Sequence, residues 1–546
     1  MSDPGSGGPT ARPVLACLRA SGAGPYITIA VAFLASRALI PWLGVTFAYQ
    51  ERLHTLWQVM DVVLLRDHPL RTLWHMHAQP PLFNALIALV LQLPADDLGA
   101  AFALIYSVVT LAGLLGFYTV AVDLLGRRSI ALAITLVLAI SPATILYERT
   151  LMYEGLVTWI LVIGFACLWQ HLVHGRRWFG FAALSAFAAV VLIRAAFHPI
   201  WLLAIVALML AARPSAWRAT LAGATLPVLL VAGVVVKNEV LFARLGLSSW
   251  MGMSLFAQAS SFLPPELRAS LIRRGKLSPA AALPSFSPPA EYLPLYGPMP
   301  HYDDPVLDNV EKADGNPNYN HIVYALMAPL MTRDALVVLR ACPLGCARAI
   351  VTGFYHFTRP TTDFKYLEAN LRQIALWDRI YSVAVWGQPA ALFGSAVEPL
   401  RPQHVLLQVG YLTVAQLAAT AWIFVALAWR GLRHRFRRGD GRMFWLLGAT
   451  LTIMYVTAVT NIFDTYETNR SRSMVEPLIF LVLICAFAGR GGHGSQERAA
   501  AGASRHPLSA TASSISSTTT CMAITPGQPA SRHSAAGAMP PSAPPT

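Results

Sequence analysis

Asp61, Glu148 and Glu154 are carboxylates at the borders of long apolar runs, and Arg470 and Arg472 stand directly before another such run. A carboxylate at a partly desolvated border can act as general base toward an alcohol or amine. Arginine stays charged and forks two N–H groups onto phosphate oxygens. Each residue also has a plainer reading. Asp61 suits a solvated loop or a helix N-cap. Glu154 suits a helix N-terminus, where the dipole favours an acid. The arginines suit interfacial contact with lipid headgroups. Glu148 and Glu154 are six apart and do not share one helix face, so one of the two is expected to point into a site. Arg194, His198 and Lys237 lie at the ends of apolar runs and could join the same anion site. His77, Gln79, Glu467 and Asn469 complete the polar set.

The elements that carry these residues are written in the composition. Apolar residues make up 55% of the 546 and charged residues 12%, about half the charge of an ordinary soluble domain. Mean hydropathy is +0.51. Such a chain uses lipid as solvent over much of its length. Forty-one basic residues against 27 acidic give a formal charge of +14, and lysine occurs only at 237, 276, 312 and 365. In a membrane protein this excess marks cytoplasmic loops rather than nucleic-acid binding. Apolar runs of spanning type cover 26–46, 100–122, 129–147, 152–170, 178–194, 198–212, 219–237, 405–429, 443–461 and 475–489. The fold class expected is therefore an all-α polytopic membrane protein with about ten transmembrane helices. The first run starts near residue 26 and is long enough to span, so it does not read as a cleavable signal.

Arg127–Arg128, Arg176–Arg177, Arg213 with Arg218, and the run 430–442 all fall on one side when ten crossings start from a cytoplasmic N-terminus. The stretch 80–93 is too short to span and fits an interfacial helix begun by Pro80 and Pro81. Trp57, Leu64 and Leu73 could line another, with Asp61 facing an outer cavity. The layout is then a cytoplasmic tail (1–25), a transmembrane catalytic module (26–237) with a first outer loop (47–99), a mainly helical extracytoplasmic segment (238–404), C-terminal spans (405–489) and a Gly/Ala/Ser/Thr/Pro-rich cytoplasmic tail (490–546) expected to be disordered. Arg37, inside the first span, must face the bundle or an outer cavity. Arg470 and Arg472 face outward against the positive-inside tendency, and a lipid phosphate would explain them.

Several chemistries have no signal. There is no GxxxxGK[ST] motif. HMH at 75–77 lacks zinc-site spacing. Cys342 and Cys346, on either side of Pro343, could approach each other, but spacing does not fix a disulfide.

The order of these parts resembles the class C glycosyltransferase superfamily, in particular the family 39-like branch of protein mannosyltransferases and the aminoarabinose transferase of lipid A. The matching pieces are WQVMD and HAQPPLFN in the first outer loop, LLGRR at a helix end, SPATILYERTLMYE, LIRAAFHPIWLL, KNEVLFARLGLSSWMGM and ETNRSRSMVEPLIF, across roughly residues 26–490. Each motif is short. The resemblance implies a polyprenyl-phosphate sugar donor, a glycan, lipid or protein acceptor, and inverting transfer at the outer face of a bacterial inner membrane. By position, Asp61 would be the catalytic base, Glu148 or Glu154 the second acid, and Arg470 with Arg472 the holders of the leaving phosphate. The first motif lacks the adjacent Asp–Glu pair of many relatives, which leaves Asp61 against Asp67 open. Gln79 is an extra residue in the H-x-PP-L pattern. Some relatives use a divalent metal; none is assigned here. A transporter or flippase of lipid-linked sugars, and a non-catalytic assembly factor, are the alternatives. The large outer segment favours an enzyme over the flippase.

Overall fold

The computed structural model describes residues 23–296, 299–393, 405–433 and 440–488. Residues up to 22, residues 434–439 of the basic run 430–442, residues 394–404 and the residues from 489 on lie outside the described residues. Among the described residues there are helices and no strands, with two isolated bridges, Ala48 to Thr150 and Glu311 to Pro317.

In chain order, α1 is Gly24–Leu39. The 47–99 loop, the first outer loop of the expected topology, follows, with α2 Gln50–Thr55, α3 Val62–Asp67, α4 Pro69–Trp74 and α5 Leu82–Val90. Then come α6 Leu98–Leu125, α7 Arg128–Ala139, α8 Pro142–Glu148, α9 Tyr153–Leu172, α10 Arg177–Ile193, α11 Pro199–Ala212 and α12 Trp217–Phe242. The 238–404 segment, outer in the expected topology, contributes α13 Met251–Ser260, α14 Ile322–Ala341 and α15 Pro343–Thr358. The chain returns through α16 Tyr411–Leu432, α17 Gly441–Phe463, the short α18 Thr468–Ser473 and α19 Glu476–Ala488. Among the described residues, seven helices are long and apolar enough to cross a membrane, or eight if α7 and α8 form one broken span. Helices α10, α11 and the apolar part of α19 are shorter.

Two details differ from the sequence reading. The run 129–147 is not straight: α7 and α8 meet at 51°. Ser141 accepts from the Thr144 N–H, and Pro142 has no N–H to continue the ladder, so one helix is capped where the other ends. In the outer segment, α14 has the length and hydropathy of a span, although Asp334 is buried within it. Other boundaries follow their local chemistry. His198 and Pro199 open α11, and Asp440 caps α17. Cys342 and Cys346 are free thiols.

Helix α9 is the axis of the bundle. Of its apolar window 83% is buried, against 22% for α1, α12 and α16, whose exposed apolar faces suit lipid contact. Close approach to α9 needs small residues. A Cβ on Gly113 of α6 would lie 2.5 Å from the Trp159 ring, and one on Gly155 would lie 2.5 Å from the Tyr147 carbonyl oxygen. The outer segment has its own core, in which Trp250, Met253, Phe256, Tyr292, Tyr324 and Met331 pack together.

Candidate functional site

Glu154 sits in the first turn of α9 and is fully buried. Tyr106 holds the backbone just before it, its hydroxyl donating to the Met152 carbonyl at 2.7 Å. Arg194, at the C-terminal end of α10, places Nη1 2.7 Å from Glu154 Oε1 and donates through Nη2 to Ser471 Oγ at 2.9 Å. Arg470 of α18 places Nη1 3.3 Å from the same Oε1. Its Nη2 is 3.3 Å from Glu467 Oε2, and Lys365 Nζ is 2.9 Å from Glu467 Oε1. Three cations thus meet two carboxylates at one end of the bundle. The guanidinium of Arg194 lies 4.6 Å from the Tyr153 ring centre, and that of Arg470 5.2 Å from Phe364.

The network is not closed on itself. Glu154 Oε2, Arg194 Nε and Arg470 Nε are buried without a hydrogen-bond partner. Buried donors left unpaired are costly, so two N–H groups at this place are short of an acceptor. Burial works against the charge on Arg470, but Tyr153, Glu154 and Glu467 outweigh it and hold the group well above the ordinary arginine range. Burial likewise opposes the charge on Glu467, and Arg470 and Lys365 overcome it, so its pKa is lowered.

The remaining candidates are placed as follows. Glu148 is paired with Arg37: Nη2 lies 2.6 Å from Oε2, with Nε donating to both carboxylate oxygens. Ser107 Oγ donates to the same carboxylate at 2.8 Å. Arg37 does face the bundle. Arg472 diverges from Arg470: it donates to the Phe357 carbonyl at 2.8 Å and lies 5.8 Å from the Trp386 ring centre. Burial pushes its pKa down to about 10, against the pull of Glu476. The cavity lined by Tyr147, Ser473 and Glu476 on that side is about 20 Å³, room for roughly one water. Asn469 ties the backbone together, donating to the Pro360 and Asp363 carbonyls.

Asp61 is the N-cap of α3. Oδ1 accepts from the Val63 and Leu64 amides, and Oδ2 accepts from the Ala313 amide at 2.6 Å. Asp67 is exposed. The Asp61 tether is one stitch in a seam between the first outer loop and residues 304–320. Lys312 Nζ donates to the Val59 carbonyl, Asp304 pairs with Arg71 and His75, and Asn320 accepts from the His77 and Ala78 amides. His77 is buried with Nδ1 2.8 Å from Ser249 Oγ. Gln79 is half-buried, His198 is exposed at its cap, and Lys237 Nζ donates to the Met76 carbonyl. The first outer loop also reaches the charge network directly. Phe83 packs edge-on to Tyr153, and Arg52 lies over the ring of Tyr366, next to Lys365.

Lys365 lies outside the sequence motifs, and Tyr153 and Ser471 lie within them without having been singled out. The rarity of lysine, with one of four copies lying between Phe364 and Tyr366, was the only available signal for Lys365. Among the described residues no three His, Cys, Asp or Glu side chains are grouped to hold a metal ion. Comparison of the chain with protein-family models, with characterised proteins and with solved structures finds no significant match.

Proposed function

We propose that this multi-pass membrane protein is a glycosyltransferase that moves a sugar from a polyprenyl-phosphate donor to an acceptor hydroxyl on a glycan, lipid or protein. The observation that carries the proposal is the pairing of Arg194 and Arg470 over Glu154 at one end of the bundle, each with a buried, unpartnered Nε–H. Two guanidinium groups at a membrane border, short of acceptors, suit the oxygens of a lipid phosphate. In the reaction, the acceptor oxygen attacks the anomeric carbon and the bond from that carbon to the phosphate oxygen breaks with inversion. The electron pair leaves on the phosphate, where Arg194, Arg470 and Lys365 offset the growing charge. Glu154 holds the two guanidinium groups in register. Asp61 takes the acceptor proton: a carboxylate has about four lone-pair sites, and its three amide donors leave room for one more partner. In this reading the site opens on the extracytoplasmic side of a bacterial inner membrane, with ten spans and the arginine-rich loops in the cytoplasm.

The test is transfer of a labelled sugar from a polyprenyl-phosphate donor in proteoliposomes. Arg470→Gln should raise the donor KM on the order of tenfold or more, in line with loss of one charge-assisted phosphate contact. Asp61→Asn should lower kcat with the donor KM kept. Full transfer by both variants would overturn the reading. Wild-type protein that moves the lipid-linked sugar across the bilayer without modifying any acceptor would replace it with a flippase.

A further inference from the structure

At the opposite end of α9 from Glu154, about 26 Å along the axis at 1.5 Å per residue, lies a second basic site. A cavity of about 790 Å³ opens between the last turns of α9 and α11 and the first turns of α10 and α12. Arg177, Arg213 and Arg218 line it, and no carboxylate does. None of the three arginines forms an ion pair among the described residues. Arg213 is anchored by donating to the Leu172 carbonyl at 3.2 Å, while Arg177 and Arg218 are exposed. Two further lining groups, His171 Nε2 and Thr220 Oγ1, are buried with no hydrogen-bond partner, each side chain being at most 4% exposed as a residue. Helices α10 and α12 both begin here, and neither has a side-chain cap at its N-terminus. Guanidinium groups without carboxylate partners, the orphaned Thr220 hydroxyl and two uncapped helix N-termini all suit an anion. The volume is that of a ligand site.

We propose that this pocket binds the phosphate headgroup of an anionic phospholipid from the adjoining leaflet. Trp178 and Trp217 flank the pocket and are 78% and 48% exposed, as expected of aromatic side chains at headgroup level. Basic pockets between transmembrane helices are a recurring form of lipid headgroup site. No residue is shared with the Glu154 network, so this site stands whether or not the transferase reading does.

The experiment uses the full chain, purified and delipidated in detergent. Binding of phosphatidylglycerol and of phosphatidylcholine is followed by native mass spectrometry, and stabilisation by inorganic phosphate is followed by thermal unfolding. Arg177→Gln with Arg218→Gln, two exposed residues without ion-pair partners among the described residues, should weaken phosphatidylglycerol binding about tenfold or more and leave phosphatidylcholine unchanged. Gly223→Met offers an independent probe. A Cβ there would lie 3.7 Å from Phe181, so the longer side chain can extend into the cavity and should also lower phosphatidylglycerol binding. Unchanged binding in both variants, or equal binding of phosphatidylcholine, would overturn the site. Equal protection by inorganic phosphate at matched concentration would overturn the lipid and assign the pocket to a soluble phosphate.

Discussion

Arg470 and Arg472 stand two positions apart on a helix, about 200° around its axis, and this angle decides what each can do. Arg470 turns to Glu154 and Arg194, whereas Arg472 turns inward to Phe357 and Trp386. The two glutamates divide in a similar way. Glu154 holds a pair of arginines with unpaired N–H groups, while Glu148 is closed in by Arg37 and Ser107. Removing one member of a buried pair strands the other charge, at a cost of about 3–5 kcal/mol. Glu148→Gln is therefore expected to lower stability by about that amount in equilibrium unfolding, and Arg37→Met combined with Glu148→Met should recover part of it. A single variant as stable as wild type would contradict the structural role. The sequence told that Arg37 should face the bundle or an outer cavity, since an unpaired charge in lipid is expensive. It did not tell the partner, which lies 111 positions away.

At the level of elements, what could be read in advance was local. A charge and a proline place the break before Pro199, and the 14-residue apolar stretch after His77 yields only the short helix Leu82–Val90, whereas the break at Pro142 inside the run 129–147 was not read. The seam between the first outer loop and residues 304–320 was not legible, because its bonds run from side chains to backbone groups more than 200 positions away. It has no periodicity to betray it. His77 gives the seam a pH signature. Burial, aided by Lys237, lowers its pKa from 6.5 to about 3. Between these values the unfolded chain binds a proton that the folded chain refuses. Stability should thus fall as pH drops from about 6.5 toward 3, by up to about 1.4 kcal/mol per pH unit from this one group, with no contribution from it above 6.5. His77→Asn should flatten that part of the stability curve, while His321 and His356, also lowered by burial, keep theirs. An identical slope in the variant would show that His77 does not carry it.

For the whole molecule, a central helix links two charged ends. Glu154 in the first turn of α9 meets the Arg194 and Arg470 network, and His171 in its last turn borders the three-arginine cavity. The apolar girth between them was plain in the composition. The convergence of Arg194, Lys365 and Arg470 was not, since it depends on how α10, the segment after α15 and α18 pack against the end of α9. The central claim is that a lipid phosphate sits between Arg194 and Arg470. The most direct measurement is a cryo-EM structure of the protein in nanodiscs with a polyprenyl-phosphate sugar bound. The account predicts phosphate oxygens within hydrogen-bond reach of Nε of both arginines, with the sugar on the Asp61 side. A bound donor whose phosphate lies away from both guanidinium groups would contradict it.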